Sequence, residues 1–464
     1  MPTQPEKIQR NGRRTFLKQS GLATAGALFG ATTLNVPHVH AAATDMIKIA
    51  AVGCGNRGTM ATRQALNADQ NLKLWAVADV FPDKSQGAVR LLGDDLRGRD
   101  KGHMIDVSPD RTFVGFDAYK KAMDTLDPGD VVLLSTPPAF RPLHYAYAVE
   151  KGLHVFAEKP VAVDIPGLKS LQESNKIAMT KGLKVGVGLN NRHYLRTEET
   201  VKAIHDGKLG ELYSFLVYRC QPGVHALEPR GNRTPLQFQL RKIFNFNWLT
   251  GGFIVDALIH NLDICCWANL QSPVAAFGMG GRLFRRDQDD LIDNASVEYT
   301  FADGKKMHMY ARTMQNTTPM YQATIHGSKG GAMLGESVTD PKFVEDWNAI
   351  KEGKNPKTFW TPSAGRNDSY QTEHDRLFKA IRGGVEWNEM DRGIAATLTA
   401  IMGRMATETG LLVTAEDAWT STFQYAPNLD KLALDGDSPF MPDADGNYKI
   451  AQPGKATIND PYMN

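Results

Sequence analysis

Cysteine is scarce in this chain. Cys54, Cys220, Cys265 and Cys266 are its only four in 464 residues. One lies in a glycine-rich turn and two are adjacent, so no disulfide framework is indicated. The four read as small buried hydrophobes. Charge of one sign is lacking too, since 53 Lys and Arg face 51 Asp and Glu. That balance gives no basis for a nucleic-acid partner or an anionic membrane surface. Long apolar runs are also missing. The N-terminal one, Gly21 to Val36, is short and interrupted, and no later stretch is expected to reach the length of a membrane span. Internal repeats are absent. A hydrophobic content of 42% with 42 glycines fits an ordinary globular α/β protein.

Against these absences stands Ile47-Lys48-Ile49-Ala50-Ala51-Val52-Gly53-Cys54-Gly55-Asn56-Arg57-Gly58, a strand, a glycine turn and a helix start. Gly53 allows the tight turn, Gly55 lets a pyrophosphate approach the backbone, and Gly58 lets helix and strand pack closely. The free amides and positive dipole end of a helix opening near Asn56 suit a diphosphate. A second strand ends at Asp79, about twenty residues beyond Gly58, where a carboxylate meets the adenosine ribose in dinucleotide-binding units. Asp79 would repel a 2′-phosphate and so favours NAD. Arg57 could offset that repulsion, which leaves NADP open.

The first 43 residues stand apart from the domains. Asn11-Gly12-Arg13-Arg14-Thr15-Phe16-Leu17-Lys18, the Gly21–Val36 run and the small residues Ala41, Ala42 and Ala43 resemble a twin-arginine export signal. The expectation is a protein exported already folded by the twin-arginine machinery, periplasmic or otherwise outside the cytoplasm, with no membrane insertion once mature. Free NAD is scarce there, so the cofactor is expected to be tightly bound and regenerated in place.

About 420 residues remain, enough for two packed domains. Over 44–190, strands alternate with helices: Val131–Ser135 before Thr136-Pro137-Pro138, a helix Pro142–Lys151 capped by Gly152, the strand His154–Ala157, a helix Ile165–Thr180, and a last strand Leu183–Leu189. This order implies a doubly wound parallel Rossmann sheet. The polar, Gly-rich stretch from Asp79 to Asp110 reads as an enlarged loop. Residues 191–410 change to alternating segments such as Ala295–Phe301, Lys306–Arg312 and Tyr321–His326, expected to form a large, mostly antiparallel sheet in an α+β domain. Residues 411–464 are Pro-, Asp- and Gly-rich and read as a surface-wrapping tail. Within it, Asp443-Ala444-Asp445-Gly446-Asn447 lacks the closing Glu of a calcium loop and reads as a turn.

Two further motifs carry chemistry. Glu158-Lys159-Pro160 follows a strand directly, at the carboxyl edge where such sheets bind ligands. Asp256, His260 and Asp263 are spaced i, i+4, i+7 and so share one helix face. The preceding Gly251-Gly252 pair would allow a bend close to a ligand. Taken in order, Gly53-Cys54-Gly55-Asn56-Arg57-Gly58, Glu158-Lys159-Pro160 and Asp256-Ala257-Leu258-Ile259-His260-Asn261-Leu262-Asp263 resemble the Gfo/Idh/MocA oxidoreductase family, from about Met46 to Gly410. The last motif is especially similar to the family's inositol dehydrogenases, whereas its glucose-fructose oxidoreductase typically has Tyr at the place of His260.

The resemblance implies an NAD(P)-dependent enzyme that takes a hydride from a hydroxyl carbon of a sugar, polyol or glycoside. It implies His260 as general base, Lys159 stabilising the developing alkoxide, and Asp256 orienting His260 or binding a neighbouring hydroxyl, with Asp263 in support. Asn190, Asn191 and Arg192 would line the substrate pocket. Thr136, Pro137, His144, Glu158 and Lys159 would lie by the cofactor. The resemblance also implies a homo-oligomer using the second sheet. Metal ligation by Asp256, His260 and Asp263 is the weaker reading of that helix, and no metal is expected. Trp248 and Phe253 could wall a sugar or belong to the core. The rival functions are a redox-neutral glycosidase using the same hydride step and a non-catalytic sugar-binding relative.

Overall fold

The computed structural model describes residues 45–222, 227–228, 230–285, 288–334, 341–344 and 357–463. The export-signal expectation lies outside them. From Ile47 the chain alternates β1 (Ile47–Val52), α1 (Asn56–Ala68), β2 (Leu72–Asp79), α2 (Pro82–Arg97), β3 (Thr112–Val114), α3 (Ala118–Met123), β4 (Val131–Leu134), α4 (Arg141–Glu150), β5 (His154–Ala157), α5 (Ile165–Thr180) and β6 (Val185–Val187). All six strands are parallel, in the order β3-β2-β1-β4-β5-β6. Strands β4 and β5 are buried at every position, as a sheet covered on both faces requires.

The stretch after Asp79 is largely helix and not loop. Pro82 occupies the first turn of α2, and Ser85, Ala88, Leu92 and Leu96 recur on one buried face. Its polar residues hid that stripe because they fill the opposite face.

The second domain runs α6 (Leu195–His205), β7 (Leu212–Gln221), α7 (Pro235–Arg241), α8 (Asn247–Thr250), α9 (Gly252–Asn269), β8 (Ala275–Gly281), β9 (Asn294–Thr300), β10 (Lys306–Thr313), β11 (Met320–Gly327), β12 (Gly330–Leu334), β13 (Lys342–Val344) and β14 (Thr358–Trp360). Then come α10 (Ser369–Gly383), α11 (Met390–Thr409), β15 (Leu412–Thr414) and α12 (Ala415–Thr420). Nine strands form one sheet, β14-β13-β12-β11-β7-β10-β9-β8-β15, antiparallel except for the β10–β7 pair. Helix α9 lies on this sheet against β7 and β11, and α11 packs both on α9 and on β8 and β9.

The chain also crosses back: α10 packs on α1, placing Leu377, Phe378 and Ile381 in one apolar cluster with Ala61, Ala65 and Phe156. One expectation needs correcting. Residues 247–269 are long and apolar enough to cross a membrane, but 83% of the most apolar 18-residue part of that stretch is buried inside the protein. Its long part, α9, packs on the sheet and beside α11, and its apolar residues are buried in the main core. After α12 the chain is irregular, and Tyr425, Phe440 and Tyr448 pack with Phe140, Phe246 and Trp248. Asp443 closes its turn by accepting the amides of Asp445 and Asn447.

Candidate active site

The β1–α1 turn is built by close approach. Gly53 has φ +92°, and a Cβ on Gly58 would lie 1.8 Å from the Gly53 carbonyl oxygen. A Cβ on Gly55, in contrast, would meet nothing within 4 Å. That space opens into a cavity of about 690 Å³ lined by Gly53, Gly55, Asn56, Arg57, Gly58 and Asp79, and also by Thr136, Pro137 and His144. No side chain caps the first turn of α1, so its amide end faces the cavity without an internal acceptor. The cleft therefore fits a dinucleotide: an uncapped helix end for the diphosphate and a carboxylate at the end of β2.

The Asp79 carboxylate is held in place by the chain itself. Oδ2 accepts the Cys54 amide at 2.7 Å and Oδ1 the Phe81 amide at 2.9 Å. Burial raises its proton affinity, and those two amides work against the rise. The cations that act on Asp79 are Lys84 and Arg241. Arg57 does not play the offsetting part expected of it. Its guanidinium bonds Glu158, donates to Gln64 at 2.8 Å and Glu373 at 3.1 Å, and lies over the Tyr370 ring. It thus ties the cofactor turn to β5 and to α10. His144 is stacked on Tyr119 at 4.1 Å and sits 3.2 Å from the Thr136 hydroxyl. Burial, with Arg141 nearby, pushes its pKa down to about 3, so it is a neutral ring.

Lys159 and Asp256, 97 residues apart, meet where the two domains join. Lys159 Nζ donates to the Asp256 carbonyl at 2.7 Å and lies 3.5 Å from its Oδ1. His260 follows one turn along α9 and is 6% exposed. Burial, then Lys159, Arg219 and Arg57, push its imidazole well below its usual range. At neutral pH it is therefore an uncharged ring with a lone pair, and not a group poised to titrate near 7. Asp256 is paired with the Lys159 ammonium.

The other residues of the expected pocket have protein partners. Asp263 grips Arg192 through two bonds, Nε to Oδ2 at 2.7 Å and an Nη to Oδ1 at 2.8 Å, and Arg192 lies 4.9 Å from the Trp267 ring. Asn190 donates to the Ser369 hydroxyl at 3.0 Å. These residues fasten the end of the parallel sheet to α9 and α10. With its carboxylate taken by Arg192, Asp263 does not complete a ligand set with Asp256 and His260, and no group of three candidate metal ligands converges among the described residues. Trp248 is fully buried, donating to Gln239 at 2.7 Å, and Phe253 is buried as well, so both are core. Gly251 and Gly252 both have φ +79°, and a Cβ added to them would meet Val255 and Asn247, respectively.

Sequence reasoning passed over Arg219. It continues the face of β7 that buries Phe215 and Val217, and its guanidinium covers the Tyr321 ring at 4.1 Å on the paired strand β11. The only sequence signal was strand alternation. It also passed over Glu373, whose carboxyl is pushed well up by burial and by Glu158.

Comparison with known proteins agrees with this geometry. Residues 47–189 match the model described as "Oxidoreductase family, NAD-binding Rossmann fold", and 198–333 match the GFO/IDH/MocA C-terminal domain. An inositol 2-dehydrogenase of Burkholderia vietnamiensis is 27% identical over 342 residues, 73% of this chain and 87% of its own. One of Rhizobium meliloti is 22% identical over 286 residues, 61% and 74%. Among solved structures, aldose-aldose oxidoreductase from Caulobacter crescentus superposes with TM-score 0.60 at 16% identity, covering 80% of this chain and all of that one. A scyllo-inositol dehydrogenase from Lactobacillus casei, with NAD(H) and scyllo-inositol bound, does so with TM-score 0.58 at 20% identity and the same coverage.

Proposed function

From the premise that this chain belongs to the Gfo/Idh/MocA family of NAD-binding oxidoreductases, we propose that it oxidises a secondary hydroxyl of a sugar or polyol at the junction of Lys159, Asp256 and His260. The observation that carries this reading is the Lys159–Asp256 contact. It brings a lysine from the carboxyl end of the cofactor sheet onto the helix that presents His260. Bound in the cleft, NAD supplies the hydride acceptor. The residues that would hold it are the Gly53–Gly58 turn, Asp79, Thr136, Pro137 and His144.

The remaining chemistry belongs to the chain. His260, kept uncharged by burial and three cations, accepts the hydroxyl proton as the carbon loses its hydride. Lys159 holds that oxygen and stabilises the charge that develops on it, in a site where such charge is poorly solvated. Asp256 keeps the ammonium aimed. Arg219 and Tyr321 stand on the sheet side of the same site. The pinned Asp79 supports NAD over NADP, since a 2′-phosphate would meet a carboxylate.

A panel of inositols, hexoses and aryl glycosides, assayed for NADH and for released aglycone, tests the reading. Oxidation yields the reduced cofactor or passes the hydride to a second carbonyl compound. Aglycone release with no net change in cofactor would instead mark a glycosidase.

Three parts of the proposal go beyond the site. Residues 1–43 act as a twin-arginine leader, so replacing Arg13 and Arg14 by Lys should leave the precursor in the cytoplasm. The exported enzyme then retains its nucleotide. Finally, the outer face of the nine-stranded sheet forms a homo-oligomer. Phe277, Met279, Tyr310 and Leu412 are exposed there, across strands whose opposite face buries Ala276, Val297 and Met309.

A further inference from the structure

The dinucleotide cavity has a wall that the Rossmann unit does not supply. Leu240, Arg241, Lys242, Ile243, Phe244 and Asn245 line it together with Asp79, Phe81 and Lys84. They come from α7 and the 3₁₀ turn after it, in the second domain, between β7 and α8.

The base of this segment is firmly held. Thr234 caps α7 in a reciprocal pair with Gln237. Gln239 is fully buried, donating to the Phe440 carbonyl at 2.7 Å and accepting from Trp248 Nε1 at 2.7 Å. Asn245 donates to Asp289 at 2.9 Å.

Its tip crosses to the other domain. The Arg241 guanidinium donates twice to the Asp83 carboxylate on α2, at 2.7 and 3.2 Å, and lies 4.0 Å from the centre of the Phe81 ring. That contact also holds the Asp83 carboxyl below its ordinary range. Phe244, beside it, keeps 57% of its surface exposed although it borders the cavity. A large apolar ring left open against a cleft is an unfilled contact.

The end of β2 fixes which part of the ligand lies here, because a carboxylate at that position serves the adenosine ribose. We propose that Leu240–Asn245 is an adenine-binding roof contributed by the second domain, with Phe244 and Ile243 against the base and the Arg241–Asp83 pair as the latch that closes it. The inference rests on the reading of the cleft as a dinucleotide site and adds to it how the nucleotide is kept. Adenosine enters between two domains, and leaving requires the latch to part. Apolar rings suit a purine face, and a latch of two exposed partners can open without disturbing the fold.

The test uses the purified protein with NADH, AMP and reduced nicotinamide mononucleotide as probes, following binding and release by fluorescence. Phe244→Ala should weaken NADH and AMP by about tenfold, the loss of one stacking contact, and leave the mononucleotide, which has no adenine, unchanged. Arg241→Ala and Asp83→Ala should speed NADH release several-fold, and the exchanged pair Arg241→Asp with Asp83→Arg should slow it again. The thermal midpoint without nucleotide should be the same in all of them. If the wild type binds NADH and AMP but Phe244→Ala affects the mononucleotide equally, or none of the latch variants changes release, the roof is wrong while the dinucleotide site stands. If the wild type binds none of the adenosine probes, both fail.

Discussion

Replacing Asp263 by Asn separates two acids that α9 presents on one face. The Asp263 and Arg192 side chains are 4% and 13% exposed. Removing the carboxylate leaves a guanidinium buried against Trp267 without its counter-charge, and breaking such a pair costs about 3–5 kcal/mol. Asn keeps the shape and one acceptor, which puts Asp263→Asn near 3 kcal/mol. Asp256 and Lys159 are more open, 22% and 19% exposed with 3.5 Å between the charged atoms. Solvent screening then limits Asp256→Asn to about 1 kcal/mol of stability or less. Activity should reverse the order. Asp256→Asn loses at least about tenfold in kcat/KM, the equivalent of ~1.4 kcal/mol in the transition state, whereas Asp263→Asn keeps its kcat wherever it is folded. Urea unfolding followed by circular dichroism, beside steady-state kinetics, measures both. The reasoning is refuted if Asp256→Asn destabilises more than Asp263→Asn, or if Asp263→Asn is fully stable yet inactive.

Three other perturbations follow from the same packing. Gly58→Ala puts a methyl group 1.8 Å from the Gly53 oxygen and should cost at least about 1–3 kcal/mol as the turn moves aside. Gly55→Ala meets only the cavity, so it should leave the apo-protein's unfolding midpoint in place and weaken NADH binding, and calorimetry with and without nucleotide distinguishes the two. His374 is fully buried on Phe156, with neither ring nitrogen bonded among the described residues. Burial, then Arg57 and His193, lower its proton affinity well below the usual range. The unfolded chain therefore takes up a proton near pH 6.5 that the folded one refuses. Stability carried by this ring is complete above that pH and lost on acidification, by about 2 kcal/mol at pH 5. His374→Phe should remove this loss, so its stability relative to wild type improves between pH 8 and pH 5. An unchanged difference at the two pH values would contradict the assignment.

Local signals were legible where one stretch of chain suffices. The turn at Gly53–Gly58 announces itself because sterics at Gly53 and Gly58 leave no other residue room. Helix α5 and strand β5 show in their own periodicity, bounded by Asp164 at the cap and Gly152 before the strand. The i, i+4, i+7 spacing placed Asp256, His260 and Asp263 on one face, but spacing does not say what faces them. Lys159 and Arg192 arrive from other elements, so one acid meets an ammonium and the other is gripped by a buried guanidinium. Helix α2 was hidden because most of its surface is polar and only every fourth residue is buried. The wall at Leu240–Asn245 was invisible for a different reason, since it lies about 160 residues from Asp83 in sequence and no short motif marks a contact made by the tertiary fold. The state of His260 was also beyond sequence, because three distant cations and burial set it.

The account stands on a lysine and an uncharged imidazole acting beside one bound dinucleotide. The most direct test is to prepare Lys159→Met and His260→Ala, identify the nucleotide each releases on denaturation, and measure its rate of hydride transfer with a substrate found for the wild type. The prediction is that both keep wild-type nucleotide content while turnover falls by about 10²–10⁴. Undiminished turnover in either variant, with nucleotide in place, would contradict it.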